Sequence, residues 1–217
     1  MAGPKPADPE GAERLTALLA RIRACRLCVE APRGAPLPHA PRPVLRAEAT
    51  ARLLVAGQAP GTKVHASGTP FLDRSGDRLR DWMGIDPATF YDTRRIAIVP
   101  MGFCFPGQDA RGGDLPPRRE CAPAWRAAVM AELPALELVL AIGLPAIRWH
   151  LGPDARETLT ATVSAFAAGE LPARTPLIIP LPHPSWRNTA WLKHNPWFYE
   201  QLLPRLRATV ARVLSAA

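Results

Sequence analysis

The chain has 217 residues, 47% of them apolar, which suits one globular domain with a full core and excludes a disordered chain. Lysine and arginine outnumber aspartate and glutamate 27 to 19, a formal charge of +8 carried mostly by arginine, and this favours a polyanionic partner such as nucleic acid or a phosphorylated ligand. No run approaches the roughly 18 apolar residues of a membrane span and no basic-then-apolar leader opens the chain, so a cytoplasmic protein with no membrane partner and no obligate protein partner is expected.

Pro4, Pro6 and Pro9 mark residues 1–10 as a flexible tail, leaving 11–217 as one domain. Residues 12–25 carry Leu15, Leu18, Leu19 and Ile22 at helical spacing and end in the CxxC pair Cys25 and Cys28. Four prolines within 33–43 predict an extended surface loop. Residues 53–56 form an apolar run stopped by Gly57, which predicts a buried strand. A short helix over 77–83 ends near Gly84, and Asp86-Pro87 starts another across 85–93, with Phe90 and Tyr91 as packing residues. A second strand, 96–99, stops at Pro100. The long irregular segment 102–117 follows, then a helix over 118–133 with Cys121 in its first turn. Residues 136–142 are the most apolar strand, ended by Gly143. Helices near Pro145 and over 154–168 precede a fourth strand, 177–181, and a last helix spans 196–214. Strands separated by helices predict an α/β fold: one central, four-stranded, mainly parallel sheet with helices on both faces.

Three features carry chemistry. The strand at 53–56 runs into Gly57-Gln58-Ala59-Pro60-Gly61 and then Pro70-Phe71, Asp73 and Ser75-Gly76, and open parallel sheets bind ligands at such strand ends. The fourth strand runs into His183-Pro184-Ser185-Trp186-Arg187-Asn188, followed by Trp191 and Lys193, so the two loops can face each other over one sheet edge. Basic groups interleaved with aromatics suit nucleic acid, where phosphates take cations and bases take flat side chains. From residue 183 onward Arg187, Lys193, Arg205, Arg207 and Arg212 face only Glu200, which puts half of the formal charge in the last sixth of the chain. The third feature is the cysteine set Cys25, Cys28, Cys104 and Cys121. Such a set in a reducing compartment forms either a four-thiolate site for zinc or an iron–sulfur cluster, or a redox CxxC beside two buried thiols. The loop-rich surroundings of Cys104 and Cys121 favour a site, because a long loop without packing residues needs something to hold it.

The ordered combination GQAPG, PF, SG, four cysteines and HPS resembles the uracil-DNA glycosylase superfamily, most closely its iron–sulfur-containing branch, from about residue 25 to 197. The resemblance implies a base pocket built by Gly57, Gln58, Ala59 and Pro60, with Phe71 stacking on an extruded base. It implies His183 near the base O2, Ser185 near phosphate, and a [4Fe-4S] cluster on Cys25, Cys28, Cys104 and Cys121, with zinc as the alternative. Three positions depart from the pattern. Gln58 stands where that branch commonly has glutamate, Ala59 where the best-known branch has a catalytic aspartate, and Pro100 where an asparagine usually reads the base edge. An acid must then enter from elsewhere, and Asp73 is the candidate, in a setting similar to FTGD…SG of another branch.

The expectation is a DNA glycosylase that flips a damaged, deaminated base such as uracil from DNA and hydrolyses its N-glycosidic bond. His183 and Asp73 are the catalytic candidates. Ser185, Arg187 and Lys193 are candidates for holding DNA, and Trp186, Asn188 or Trp191 for filling the gap left in the stack. Two alternatives keep other uses of the same residues: a non-catalytic binder of damaged or abasic DNA, and an unrelated α/β enzyme handling nucleotides or phosphate.

Overall fold

A computed structural model describes residues 9–215. Helix α1 (Pro9–Arg23) begins inside the stretch read as a tail; residues 1–8 lie outside the described part. Its apolar stripe, Leu15, Leu18, Leu19 and Ile22, is buried, and a one-turn helix α2 (Leu27–Glu30) follows. The strands are β1 (Leu53–Ala56), β2 (Ile96–Ile98), β3 (Leu138–Ile142) and β4 (Leu177–Leu181), in the order β2-β1-β3-β4, all parallel. Between β1 and β2 lie α3 (Thr62–Ser67), α4 (Arg74–Met83) and α5 (Pro87–Tyr91), and α6 (Cys121–Ala131) leads into β3. Then come α7 (Leu144–Leu151) and α8 (Leu159–Ala167) before β4, and α9 (Thr189–His194) and α10 (Leu203–Ser215) after it.

The strands are apolar at consecutive positions because both faces of the sheet are covered. Leu54, Ala56, Val139 and Ala141 point into a core shared with α1, α6 and α7. Their neighbours Leu53, Val55, Leu138, Leu140 and Ile142 point into a second core with Trp82, Phe90, Phe198 and Leu206. The expected fold is therefore present, with a three-layer arrangement. Pro180 is tolerated within β4 because that strand lies at the sheet edge. The opposite edge, β2, is covered by the chain at Arg46, which exchanges both backbone bonds with Ile98.

After β1 the chain moves to β2 on one side, and β3 lies on the other, so loops from β1 and β3 diverge between those strands. A crevice forms at the carboxyl edge where they part. The Gln58 side chain fills it: an added Cβ on Gly143, whose φ is +79°, would lie 2.3 Å from Gln58 Nε2. No described helix is long and apolar enough to cross a membrane.

Candidate active site

The loops after β1, β2 and β4 open into one cavity of about 710 Å³. Gly57, Gln58, Ala59, Pro60, Phe71, Asp73, Pro100 and His183 all line it, as do Ser185, Trp186, Arg187 and Asn188. The first strand end is tied to the second by backbone bonds from Met101 N–H to Gly57 O (2.9 Å) and from Gly102 N–H to Gln58 O (2.8 Å). Pro100 presents no N–H there, so this part of the wall is apolar, together with Val44 and Ile98.

Phe71 lies over Gly57, where an added Cβ would come 3.3 Å from its ring. Its φ is +56°, and it is the non-glycine residue in the left-handed region among those described. An aromatic residue in that conformation is strained by about 1–3 kcal/mol and persists only where its surroundings enforce it. The enforcement is visible. Arg80 Nη1 donates to Phe71 O (3.3 Å), Tyr91 Oη donates to Pro70 O (3.0 Å), and the Phe90 ring meets Phe71 edge-on at 6.0 Å. Gly76 packs so closely that an added Cβ would sit 1.8 Å from Phe71 O. Gly76→Ala is expected to push Phe71 out of place, costing about 1–3 kcal/mol of stability in urea titration and weakening ligand stacking in the cavity.

Asp73 is the N-cap of α4, its Oδ1 accepting from Gly76 N–H at 2.9 Å. The carboxylate thus begins a helix and lines the cavity at once. Burial lowers the pKa of His183, while Asp73 and then Asp114 oppose the shift, so both acids lie within electrostatic reach of the ring. Asn188 Nδ2 holds the histidine loop by donating to His183 O (2.7 Å), and Arg78 Nη1 donates to Ser185 O (3.0 Å). Trp186 stands 74% exposed at the mouth.

A family model described as the uracil DNA glycosylase superfamily matches residues 45–207. The chain belongs to this superfamily. Members typically are DNA glycosylases, so membership supports this type of activity, with DNA as the partner, and sets aside an unrelated phosphate-handling enzyme. The match spans Cys104 and Cys121 but begins after Cys25 and Cys28.

Two expected DNA-contacting residues of this superfamily member sit elsewhere. Trp191 does not line the cavity: Nε1 donates to Thr160 Oγ1 (2.7 Å), and its ring packs on Trp197 and Phe198, both at 5.8 Å. The segment after His183 is a 3-10 turn followed by α9 rather than an open loop, and this turns Trp191 back toward the domain. Lys193 is exposed on α9, also outside the cavity lining. Conversely, the sequence reading missed Asp114, Gln108, Lys63 and Arg74, which do line it. For Asp114 the pair Gly112-Gly113 marks a turn just before a carboxylate but gives no reason to place it at the first motif.

All four cysteines line one small second cavity with Leu27, Pro41, Pro43, Phe103 and Arg118. The proline-rich segment is thus a wall of this cavity as well as an exposed loop. None of the four is in a disulfide. Trp125 Nε1 donates to Cys25 Sγ and Phe103 N–H to Cys121 Sγ, each at 3.3 Å. Arg118 and the Arg42 backbone act electrostatically on Cys28 and Cys104, opposing the rise that burial causes. Burial raises the Cys28 thiol and pushes Cys104 and Cys121 up to about 12, which favours the neutral thiol in each. Among the described residues no three His, Cys, Asp or Glu side chains stand close enough to form a ready metal shell.

One turn and a half into the same helix, Arg126 is fully buried. Nη1 donates to Val99 O (3.0 Å) and Pro100 O (2.9 Å), the end of β2, and Nη2 meets His150 Nε2 at 2.6 Å. Its Nε has no partner, and burial pulls its pKa down to about 9, with Cys121 acting in the opposite sense. The guanidinium stays charged. A buried cation with no carboxylate partner, beside a cysteine, is suited to a site that becomes anionic.

Proposed function

We propose that the protein is a monofunctional DNA glycosylase that hydrolyses the N-glycosidic bond of a damaged, deaminated base flipped from DNA. The observation that carries this reading is the single cavity holding the Phe71 ring, His183 and Asp73, with exposed Trp186 at its mouth. Flipping costs a few kcal/mol and is least costly for a mispaired or single-stranded base. Ser185 and Arg187 hold the flanking phosphates, and Trp186 fills the gap in the stack. Phe71 stacks on the base, and backbone and side-chain amides around Gln58 and Ala59 meet its edge.

As the bond breaks, negative charge moves onto the base and positive charge onto the sugar. His183 donates to the former, as an oxyanion donor does. Asp73 orients the water and offsets the latter. Asp73→Asn keeps a carbonyl acceptor for the Gly76 cap, so its fold is retained, and its single-turnover base release is expected to fall by about tenfold or more. A fully active Asp73→Asn would remove Asp73 from the mechanism.

Cys25, Cys28, Cys104 and Cys121 would hold a [4Fe-4S] cluster, supported by their shared cavity, by N–H donors to their sulfurs and by buried Arg126. When bound, the group would supply a structural cross-link between the CxxC turn, the segment after β2 that carries Cys104, and α6. Zinc is the alternative; broad visible absorption of the purified protein separates the two, since zinc is colourless.

The test is a base-release assay on oligonucleotides carrying uracil, hypoxanthine, xanthine or ethenocytosine, single- and double-stranded. Release of free base from at least one is expected. Tight binding without release would identify a damaged- or abasic-DNA binder, a reading favoured by one observation: motif one has no acid and Asp73 is engaged in capping.

A further inference from the structure

The segment 107–115, read from sequence as irregular, is an internally bonded loop. Gln108 and Asp114 pair as an antiparallel bridge, and Leu115 N–H donates to Gly107 O (2.9 Å). Asp109 Oδ1 accepts from both Arg111 N–H and Gly113 N–H at 2.8 Å. Arg187, from the histidine loop, reaches across and donates through Nη2 to Gly112 O (3.0 Å). The loop is therefore fixed to the second strand-end motif, and its returning arm carries a carboxylate, Asp114.

That carboxylate lies on the first motif. An added Cβ on Gly61 would meet Asp114 Oδ2 at 3.0 Å, while Gln108 Nε2 donates to Oδ1 at 3.2 Å. Asp114 lines the same cavity as Asp73 and His183. The GQAPG loop has no acid of its own, and the fold brings one to it from about fifty residues downstream. Asp73, by contrast, has one oxygen committed to starting α4. Both acids act electrostatically on His183. Asp114 is exposed in the free protein, a position that a bound strand across the mouth would cover.

We propose that Asp114, set over Gly61 and latched by Arg187, is a second catalytic carboxylate of this pocket and takes the proton of the attacking water. This rests on the glycosylase reading above. In the step, the water oxygen bonds to C1′ and the C1′–N bond breaks, its electron pair leaving on the base. One water proton passes to Asp114 and then to solvent, and the released base, held by a hydrogen bond from neutral His183, is neutralised by a proton from solvent. Asp73 keeps the water aligned and faces the sugar.

The experiment compares wild type, Asp114→Asn, Asp114→Glu and Asp73→Asn in single-turnover base release across pH 4–8, with DNA affinity measured in parallel. Asp114→Asn is expected to lose about tenfold or more in rate with affinity unchanged or raised, since a negative charge near phosphate is removed. Wild type is expected to lose rate as pH falls through the carboxylate range, and Asp114→Asn to lose that decline. Asp73 and His183 line the same cavity as Asp114, Asp109 and Arg187 hold its loop, and the Asp73→Asn profile is expected to retain that decline. Asp114→Glu recovers part of the rate. A rate for Asp114→Asn within about twofold of wild type, or a lower rate with the acid decline intact, overturns the proposal while leaving the glycosylase reading in place. Absence of base release by wild type overturns both.

Discussion

His183→Ala is expected to lower single-turnover base release by at least tenfold and up to the roughly 10²–10³ typical of losing one oxyanion donor, while DNA affinity survives. The two effects separate because the histidine loop separates them. His183 lines the interior of the cavity, with its backbone carbonyl held by Asn188, whereas Ser185, Trp186 and Arg187 stand toward the mouth. Burial lowers the His183 pKa, so at neutral pH the ring is an uncharged donor and contributes little to phosphate attraction. Alanine leaves the loop's anchors in place: Arg78 still reaches Ser185 O, and Asn188 still reaches the residue-183 carbonyl. Filter binding to an oligonucleotide and rapid-quench base release measure the two quantities separately. A mutant with unchanged cleavage would mean that the leaving base is stabilised by other groups lining the cavity, such as the amides around Gln58 and Ala59.

The sheet was legible because its strands are buried on both faces and therefore read as unbroken apolar runs: Leu53 to Ala56 and Leu138 to Ile142 need no tertiary knowledge to be seen. Asp86-Pro87 announced α5 through its cap chemistry, and Thr89 N–H indeed donates to Asp86 at 2.7 Å. What escaped was short, polar structure without a period. The six-residue helices α3 and α9 bury little besides Val64 and Leu192, and the second of them is what turned Trp191 inward. In the site, both strand-end motifs were readable because strand ends define where ligands bind. Asp114 was not, since its place over Gly61 depends on a loop held by side-chain bonds from Asp109, Gln108 and Arg187. Gly76 had a readable position but an unreadable reason, the strained backbone of Phe71.

Acid is expected to destabilise the protein through His150, beginning above the pH at which carboxylates titrate. The imidazole is buried and faces the Arg126 guanidinium; burial first, then that cation, pull its pKa down to about 3. At the 2.6 Å contact Nε2 must be the acceptor, so the ring is neutral with its proton on Nδ1. Because the folded-state value lies below the unfolded one, the unfolded chain takes up the proton first. The stabilising difference is complete above about pH 6.5 and falls progressively toward pH 3, by roughly 3–5 kcal/mol in all. His65 and His183 are lowered too and contribute to the wild-type slope. His150→Gln isolates the term, since glutamine offers Arg126 a carbonyl acceptor that does not titrate. Urea midpoints of wild type and His150→Gln at pH 7 and pH 5 should differ in their pH dependence, the variant losing less stability on acidification. Equal losses would show that protonated His150 is accommodated, which requires Arg126 to release it. Such a movement would also loosen the grip of Arg126 on Val99 O and Pro100 O, the strand end that walls the base pocket.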